Sequence, residues 1–205
     1  DLSGLTAVDT LNIQIENIND APVLTEISDQ VTDEDVSLDI TLTATDVDGD
    51  ILTFTAGSDN ENVDVSLFDG QLTMTPALNF NGVVAITITV NDTEGTADSE
   101  TFTLTVNAVN DTPILTVIGD QVTAEDTDFS IDLSASDVDI DENGQTLTYS
   151  AVSSDESLVM VTTTTSDNGT TGTLTFDVLD EQNGEADITV TVNDAQGRAI
   201  DSETF

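Results

Sequence analysis

Four groups of acidic and amide side chains stand in this chain twice. They are Asn19-Asp20 and Asn110-Asp111, Glu34-Asp35 and Glu125-Asp126, Asp46-Val-Asp48 and Asp137-Val-Asp139, and the Asp of two Asn-Asp pairs, Asp92 and Asp194. The chemistry such groups do well is to hold a hard cation, since Ca²⁺ takes about six to eight oxygens from carboxylates, carbonyls and water in loose geometry. One Asp-x-Asp says little in a chain with 42 Asp and Glu residues. Four acidic groups at matching points of two repeats say more, because selection for charge alone would let individual positions drift. The plainer reading of the same residues is a solvated acidic surface. An EF-hand does not fit. Asp137-x-Asp139-x-Asp141 with Asn143-Gly144 resembles the start of its loop, but the twelfth position is Thr148, inside a strand pattern, with no helical pattern on either side.

The formal charge is −41, with Arg198 the single basic residue and no His or Cys. Nothing is present to neutralise phosphates, which excludes nucleic-acid binding, and the charge also argues against an anionic membrane surface. Self-repulsion at this density opposes compaction unless cations gather on the surface or at fixed sites. There is no long apolar run, so no membrane insertion is expected. With no His, no Cys and no nucleophile–base grouping, the chain does not read as an enzyme. Asn-x-Thr at Asn91, Asn110 and Asn168 reads as background.

The elements that must position these carboxylates read as strands. Leu11, Ile13 and Ile15 alternate with polar residues, as do Leu38, Ile40 and Leu42, then Ile86, Ile88 and Val90, then Phe102, Leu104 and Val106. Such period-2 patterns, with Thr on the opposite face, fit antiparallel sheets wet on one side. Turn residues divide them at Asp48-Gly49-Asp50, Asp69-Gly70, Asn81-Gly82 and Asn143-Gly144. The fold class is therefore all-β, a tandem array of β-sandwich repeats. Asn-Asp-Ala-Pro at 19–22 returns as Asn-Asp-Thr-Pro at 110–113, and Asp-Ser-Glu-Thr-Phe at 98–102 returns at 201–205. Repeat 1 spans residues 17–107 and repeat 2 spans 108–205. Residues 1–16 read as the last strand of a preceding repeat, since 4–16 align with 95–107. Repeat 2 stops at Phe205, the counterpart of Phe102, and lacks the rest of that strand. The terminal strand reads either as a frayed tail or as a donor for strand exchange in trans through residues 4–16.

Ala44-Thr45-Asp46-Val47-Asp48, the Asn19-Asp20-Ala21-Pro22 linker and Val90-Asn91-Asp92-Thr93-Glu94-Gly95 together resemble the calcium motifs of cadherin repeats. The nearer likeness is to the bacterial cadherin-like tandem repeats of giant surface and secreted adhesins, of which Pro76-Ala77-Leu78-Asn79-Phe80-Asn81-Gly82 is also typical. The resemblance covers nearly the whole chain. It implies Greek-key sandwiches set end to end, an extracellular, bacterial-surface location, and Ca²⁺ at the junctions between repeats. Carried over, a complete junction would use Glu34, Asp35, Asn110, Asp111, Asp137, Asp139, Asp194 and a carbonyl of Asn143. A half-junction would keep Asn17, Asn19, Asp20, Asp46, Asp48 and Asp92, and Glu125 with Asp126 would face a next junction. The middle acidic motif of animal cadherins is absent, replaced by Leu78-Asn79-Phe80-Asn81, and position 108 is Ala where the first linker acid stands. That implies one or two ions per junction, held at roughly 10⁻⁵–10⁻³ M. The function implied is a calcium-stiffened extender whose partners are its neighbouring repeats. The alternatives are polysaccharide binding, for which there is no Trp platform, and homophilic adhesion.

Overall fold

The computed structural model describes residues 9–140, 145–166, 169–196 and 200–205. Among the described residues every element longer than one residue is a β-strand, and the chain divides into two compact units, Asp1–Ala108 and Val109–Phe205. No helix among the described residues is long and apolar enough to cross a membrane.

Unit 1 carries β1 (Val23–Leu24), β2 (Gln30–Asp33), β3 (Leu38–Thr41), β4 (Ala44–Thr45), β5 (Thr53–Ser58), β6 (Val63–Phe68), β7 (Gln71–Pro76), β8 (Gly82–Asn91) and β9 (Ala97–Asn107). One sheet has the order β2-β9-β8-β5, a second β3-β7-β6, and β1 pairs with β4. All pairings are antiparallel except β2 with β9, where Gln30 lies opposite Leu104 and Asp33 opposite Asn107. The alternation read from the sequence is the packing itself. Along β8, Val84, Ile86, Ile88 and Val90 are buried, and along β9, Phe102, Leu104 and Val106 meet them in one core with Leu72 and Met74. The Thr residues between them line the other face, where Thr87 and Thr101 share a hydrogen bond at 2.8 Å. β6 turns into β7 through Asp69 and Gly70, both at positive φ, the two-residue turn that matches the twist of a hairpin.

Unit 2 carries β10 (Ile114–Leu115), β11 (Phe129–Ser136), β12 (Thr148–Ser153), β13 (Val159–Thr165), β14 (Thr171–Val178), β15 (Ile188–Asn193) and β16 (Ile200–Thr204). Its sheets run β10-β11-β14-β13 and β12-β15-β16. Its core gathers Leu133, Leu147, Tyr149, Leu174, Phe176, Val190 and Val192. Tyr149 aligns with Phe54, as the repeat predicts, and its hydroxyl donates to the Thr170 carbonyl at 3.0 Å. Gly172 is required under that ring, because a Cβ there would come within 2.9 Å of Tyr149 and 2.4 Å of the Thr164 carbonyl.

The units differ at one edge. Gln30–Asp33 forms β2 against the end of β9, but the corresponding Gln121–Ala124 forms no strand, and β15 starts at Ile188 where β8 starts four positions earlier, at Gly82. Both segments flank the place that Leu104–Asn107 fills in unit 1. Of the expected terminal strand, residues 4–8 lie outside the described residues, and residues 9–16 pair with no strand among the described residues. Leu11, Ile13 and Ile15 are largely exposed there.

Candidate metal centres

In unit 1 the loop after β4 is wound around Asp46. Its Oδ1 accepts the N–H groups of Asp48, Gly49 and Asp50 at 2.8, 3.0 and 3.4 Å, and Gly49 takes the positive φ this turn needs. Asp48, two residues on, accepts Asn17 Nδ2 on one oxygen and the Asp20 N–H on the other, both at 2.7 Å. The turn between β8 and β9 is organised the same way. Asp92 Oδ1 accepts the N–H groups of Glu94, Gly95 and Thr96 at 3.0, 2.6 and 2.9 Å. Its Oδ2 accepts Asn19 Nδ2 at 2.8 Å and the Thr96 hydroxyl. Two loops and the segment ahead of β1 thus converge, and Asp46, Asp50 and Asp92 each place a carboxylate oxygen within 4.8 Å of the others.

The electrostatics follow from these donors. The Thr96 hydroxyl, then Asn19, hold Asp92 far below the usual carboxylate range, and the Asp20 N–H, then Asn17, lower Asp48. Hydrogen bonds to the charged form favour it, so both stay ionised near neutrality. Asp46 Oδ2 is different: it is buried and accepts no hydrogen bond.

Unit 2 repeats the frame. Asn110 Nδ2 donates to Asp194 Oδ2 at 2.6 Å, the Asp111 N–H to Asp139 Oδ2 at 2.7 Å, and the Asp139 N–H to Asp137 Oδ1 at 2.9 Å. Asp139 and Asp194 are buried, at 3% and 1% exposure. Asp137 Oδ2 and Gln145 Oε1 are buried without a hydrogen-bond partner, while Gln145 Nε2 donates to Asn110 Oδ1 at 2.6 Å. Burial pushes the Asp137 carboxyl up, and the charges of Asp139 and Asp194 add to that, against the lowering effect of the Asp139 N–H.

A buried carboxylate oxygen with no donor is costly unless a positive charge meets it. The chain's single basic residue, Arg198, lies outside the described residues. An all-oxygen set of carboxylates and amides is what Ca²⁺ accepts; the spacing of Asp46, Asp50 and Asp92 fits such an ion in unit 1, and unit 2 offers the same donor types in Asp137, Asp139, Asp194 and Gln145.

The structure groups Asn17, Asn19, Asp20, Asp46, Asp48 and Asp92 in one network, and Asn110, Asp111, Asp137, Asp139 and Asp194 in another. Asn143 lies outside the described residues. Glu34 is buried and its N–H bonds the Asn107 carbonyl at 2.9 Å, whereas Glu125 is exposed. Asp35 and Asp126 have turn duties within their own repeats: each sits at positive φ and accepts a backbone N–H, from Asn79 at 2.9 Å and from Glu181 at 2.8 Å. Two residues of the networks were not singled out from the sequence, Asp50 and Gln145. Matching Leu52 with Leu147 places one over the other, so a single repeat position carries an acid in unit 1 and an amide in unit 2. Recurrence also has a purely structural source. Asp98 and Asp201 accept the N–H groups of Leu24 and Leu115, and Glu100 and Glu203 those of Ile27 and Ile118.

Comparison with known proteins agrees with this architecture. Among solved structures, the chain is similar to Drosophila N-cadherin EC1-4, with a TM-score of 0.53 at 18% identity over 91% of this chain and 48% of that one. It is similar to protocadherin gamma B2 extracellular cadherin domains 3-6, with a TM-score of 0.51 at 13% identity over 90% and 46%. The chain therefore spans about half the length of these structures, and at such identity the likeness is one of fold. A search of curated proteins gives no match. The profile of the bacterial Ig domain matches residues 19–105 and again 110–204, so the chain belongs to the bacterial Ig domain family, with two copies in tandem.

Proposed function

We propose that this chain is a calcium-binding structural segment of a bacterial surface adhesin, in which cations at the acidic end of each Ig domain stiffen the array. The observation that carries the reading is the pair of buried carboxylate oxygens without a donor, Asp46 Oδ2 and Asp137 Oδ2, at equivalent points of two hydrogen-bonded networks. Asp46, Asp50 and Asp92 would hold an ion in unit 1, and Asp137, Asp139, Asp194 and Gln145 would hold one in unit 2. Asp111, whose N–H donates to Asp139 Oδ2, would join the second set. The ion supplies charge neutralisation and nothing catalytic. Without it the clustered carboxylates repel; with it the loops are pinned, and stability rises by mass action in proportion to the logarithm of ion concentration over its dissociation constant.

Calorimetric titration and thermal melting with Ca²⁺, with Mg²⁺ as the control, test this. Millimolar Ca²⁺ should raise the melting temperature, the stabilisation being about 2–3 kcal/mol per site at a hundred times the dissociation constant. The combined Asp46→Asn and Asp137→Asn substitutions should remove most of that response. A protein whose melting ignores Ca²⁺ would leave the carboxylates as a solvated acidic surface.

A further inference from the structure

One repeat position separates the two acidic networks, and strand register fixes the comparison. β5 opens with Thr53 opposite Asn91 and Phe54 opposite Val90, and β12 opens with Thr148 opposite Asn193 and Tyr149 opposite Val192. The residue three places before each strand is Asp50 in unit 1 and Gln145 in unit 2. Asp50 is half-buried, and its carboxylate stands with those of Asp46 and Asp92, one oxygen of each within 4.8 Å of the others.

Gln145 is 7% exposed, and its neighbours set which end of the amide faces where. An ionised carboxylate can only accept, so Asp194 Oδ2 takes Asn110 Nδ2 at 2.6 Å. The same Nδ2 also donates to the Asp111 carbonyl at 3.0 Å. Asn110 Oδ1 is thereby turned away to accept, and Gln145 Nε2 donates to it at 2.6 Å. Reversing the Gln145 amide would set two carbonyl oxygens against each other, so its Oε1 is held on the other side, buried and without a hydrogen-bond partner. Asp137 Oδ2, in the same network, is buried and bare as well. A buried carbonyl without a donor carries a desolvation cost that a cation removes.

We propose that this position grades the two units: Gln145 offers Ca²⁺ a neutral oxygen where Asp50 offers a carboxylate, so unit 1 fills first and unit 2 fills only at higher Ca²⁺. The inference rests on the calcium reading above and adds an order of filling to it. In oxygen sites the number of charged ligands is a main setting of Ca²⁺ affinity. A carbonyl dipole attracts the ion less than a carboxylate does. It also adds no charge to the repulsion among Asp137, Asp139 and Asp194 while the site is empty. A chain graded in this way responds to Ca²⁺ over a wider range of concentration than one with two equal sites.

Calorimetric titration of the whole chain with Ca²⁺ tests this. Two steps are expected, separated by roughly ten-fold or more in dissociation constant. Asp50→Asn, which keeps the shape and removes one charge, should weaken the tighter step and leave the other. Gln145→Glu should tighten the weaker step and leave the other. Melting separates ligation from bracing. In EDTA, Gln145→Glu should lower the unit 2 transition, because it adds a charge and loses the donor to Asn110, and saturating Ca²⁺ should then raise that transition by more than in the parent chain. A loss in EDTA that Ca²⁺ does not offset would make Gln145 a brace only and overturn the proposal. Two steps of equal strength would overturn it too, as would a weaker step that Gln145→Glu leaves unchanged or that Asp50→Asn alters. No uptake of Ca²⁺ in any step is a different result: it removes the calcium reading, and this inference with it.

Discussion

Asp92 accepts hydrogen bonds from three backbone N–H groups, an amide and a hydroxyl, whereas Asp137 has one oxygen bonded and the other buried bare. The two therefore respond to pH in opposite senses. A carboxyl lowered by its donors contributes stability above its unfolded value of 3.8, and that contribution is lost as pH falls through the folded value. A carboxyl raised by burial binds its proton more tightly in the folded state, so its ionisation costs stability as pH rises past 3.8 and through the raised value. Near neutrality, in the absence of ions, Asp92 supports its unit and Asp137 weakens its own. Asp137→Asn should then raise the melting temperature of the EDTA-treated protein by a few degrees at pH 7 while cutting its gain from Ca²⁺, since the amide oxygen can still accept the Asp139 N–H. Asp92→Ala should lower the melting temperature under both conditions. Melting curves with and without Ca²⁺ separate these outcomes, and a loss of stability for Asp137→Asn in EDTA would contradict the electrostatic account.

At the scale of elements, β1 and β10 are only two residues long, and side chains anchor the chain around them. The carboxylates of Asp98 and Glu100, on β9, accept the N–H groups of Leu24 and Ile27, and those of Asp201 and Glu203, on β16, accept the N–H groups of Leu115 and Ile118. Each clamp satisfies a backbone donor that no neighbouring strand takes. Hydrogen bonds of this kind contribute about 1–2 kcal/mol, so Glu100→Ala should speed amide exchange at Ile27 roughly ten-fold while leaving the core amides of β8 protected. These clamps also show which part of the sequence could be read. Strand positions and core followed from alternation, as at Ile86-Thr-Ile88-Thr-Val90, because period-2 burial is local. The network residues followed from their recurrence in the two repeats. Recurrence cannot separate a ligand from a brace, however, and Asp98, Glu100, Asp35 and their counterparts recur for backbone reasons. It also missed Gln145, because an amide in one repeat stands where an acid stands in the other.

For the whole molecule, two cores in two compact units and a charge of −41 set how it unfolds. Two separate cores should give two transitions in calorimetry of the intact chain. Leu174→Ala, in the unit 2 core, should lower only that unit's transition, and Ile88→Ala, in the unit 1 core, only the other. Each cavity costs about 2–5 kcal/mol, and a single kcal/mol moves the midpoint of a unit this size by about 4–8 °C. Sodium chloride should raise both transitions even in EDTA, because screening relieves repulsion throughout the surface, whereas Ca²⁺ should add a further rise that the site substitutions remove. If Leu174→Ala and Ile88→Ala moved the same transition, the two units would be folding as one, and stability could not be assigned repeat by repeat.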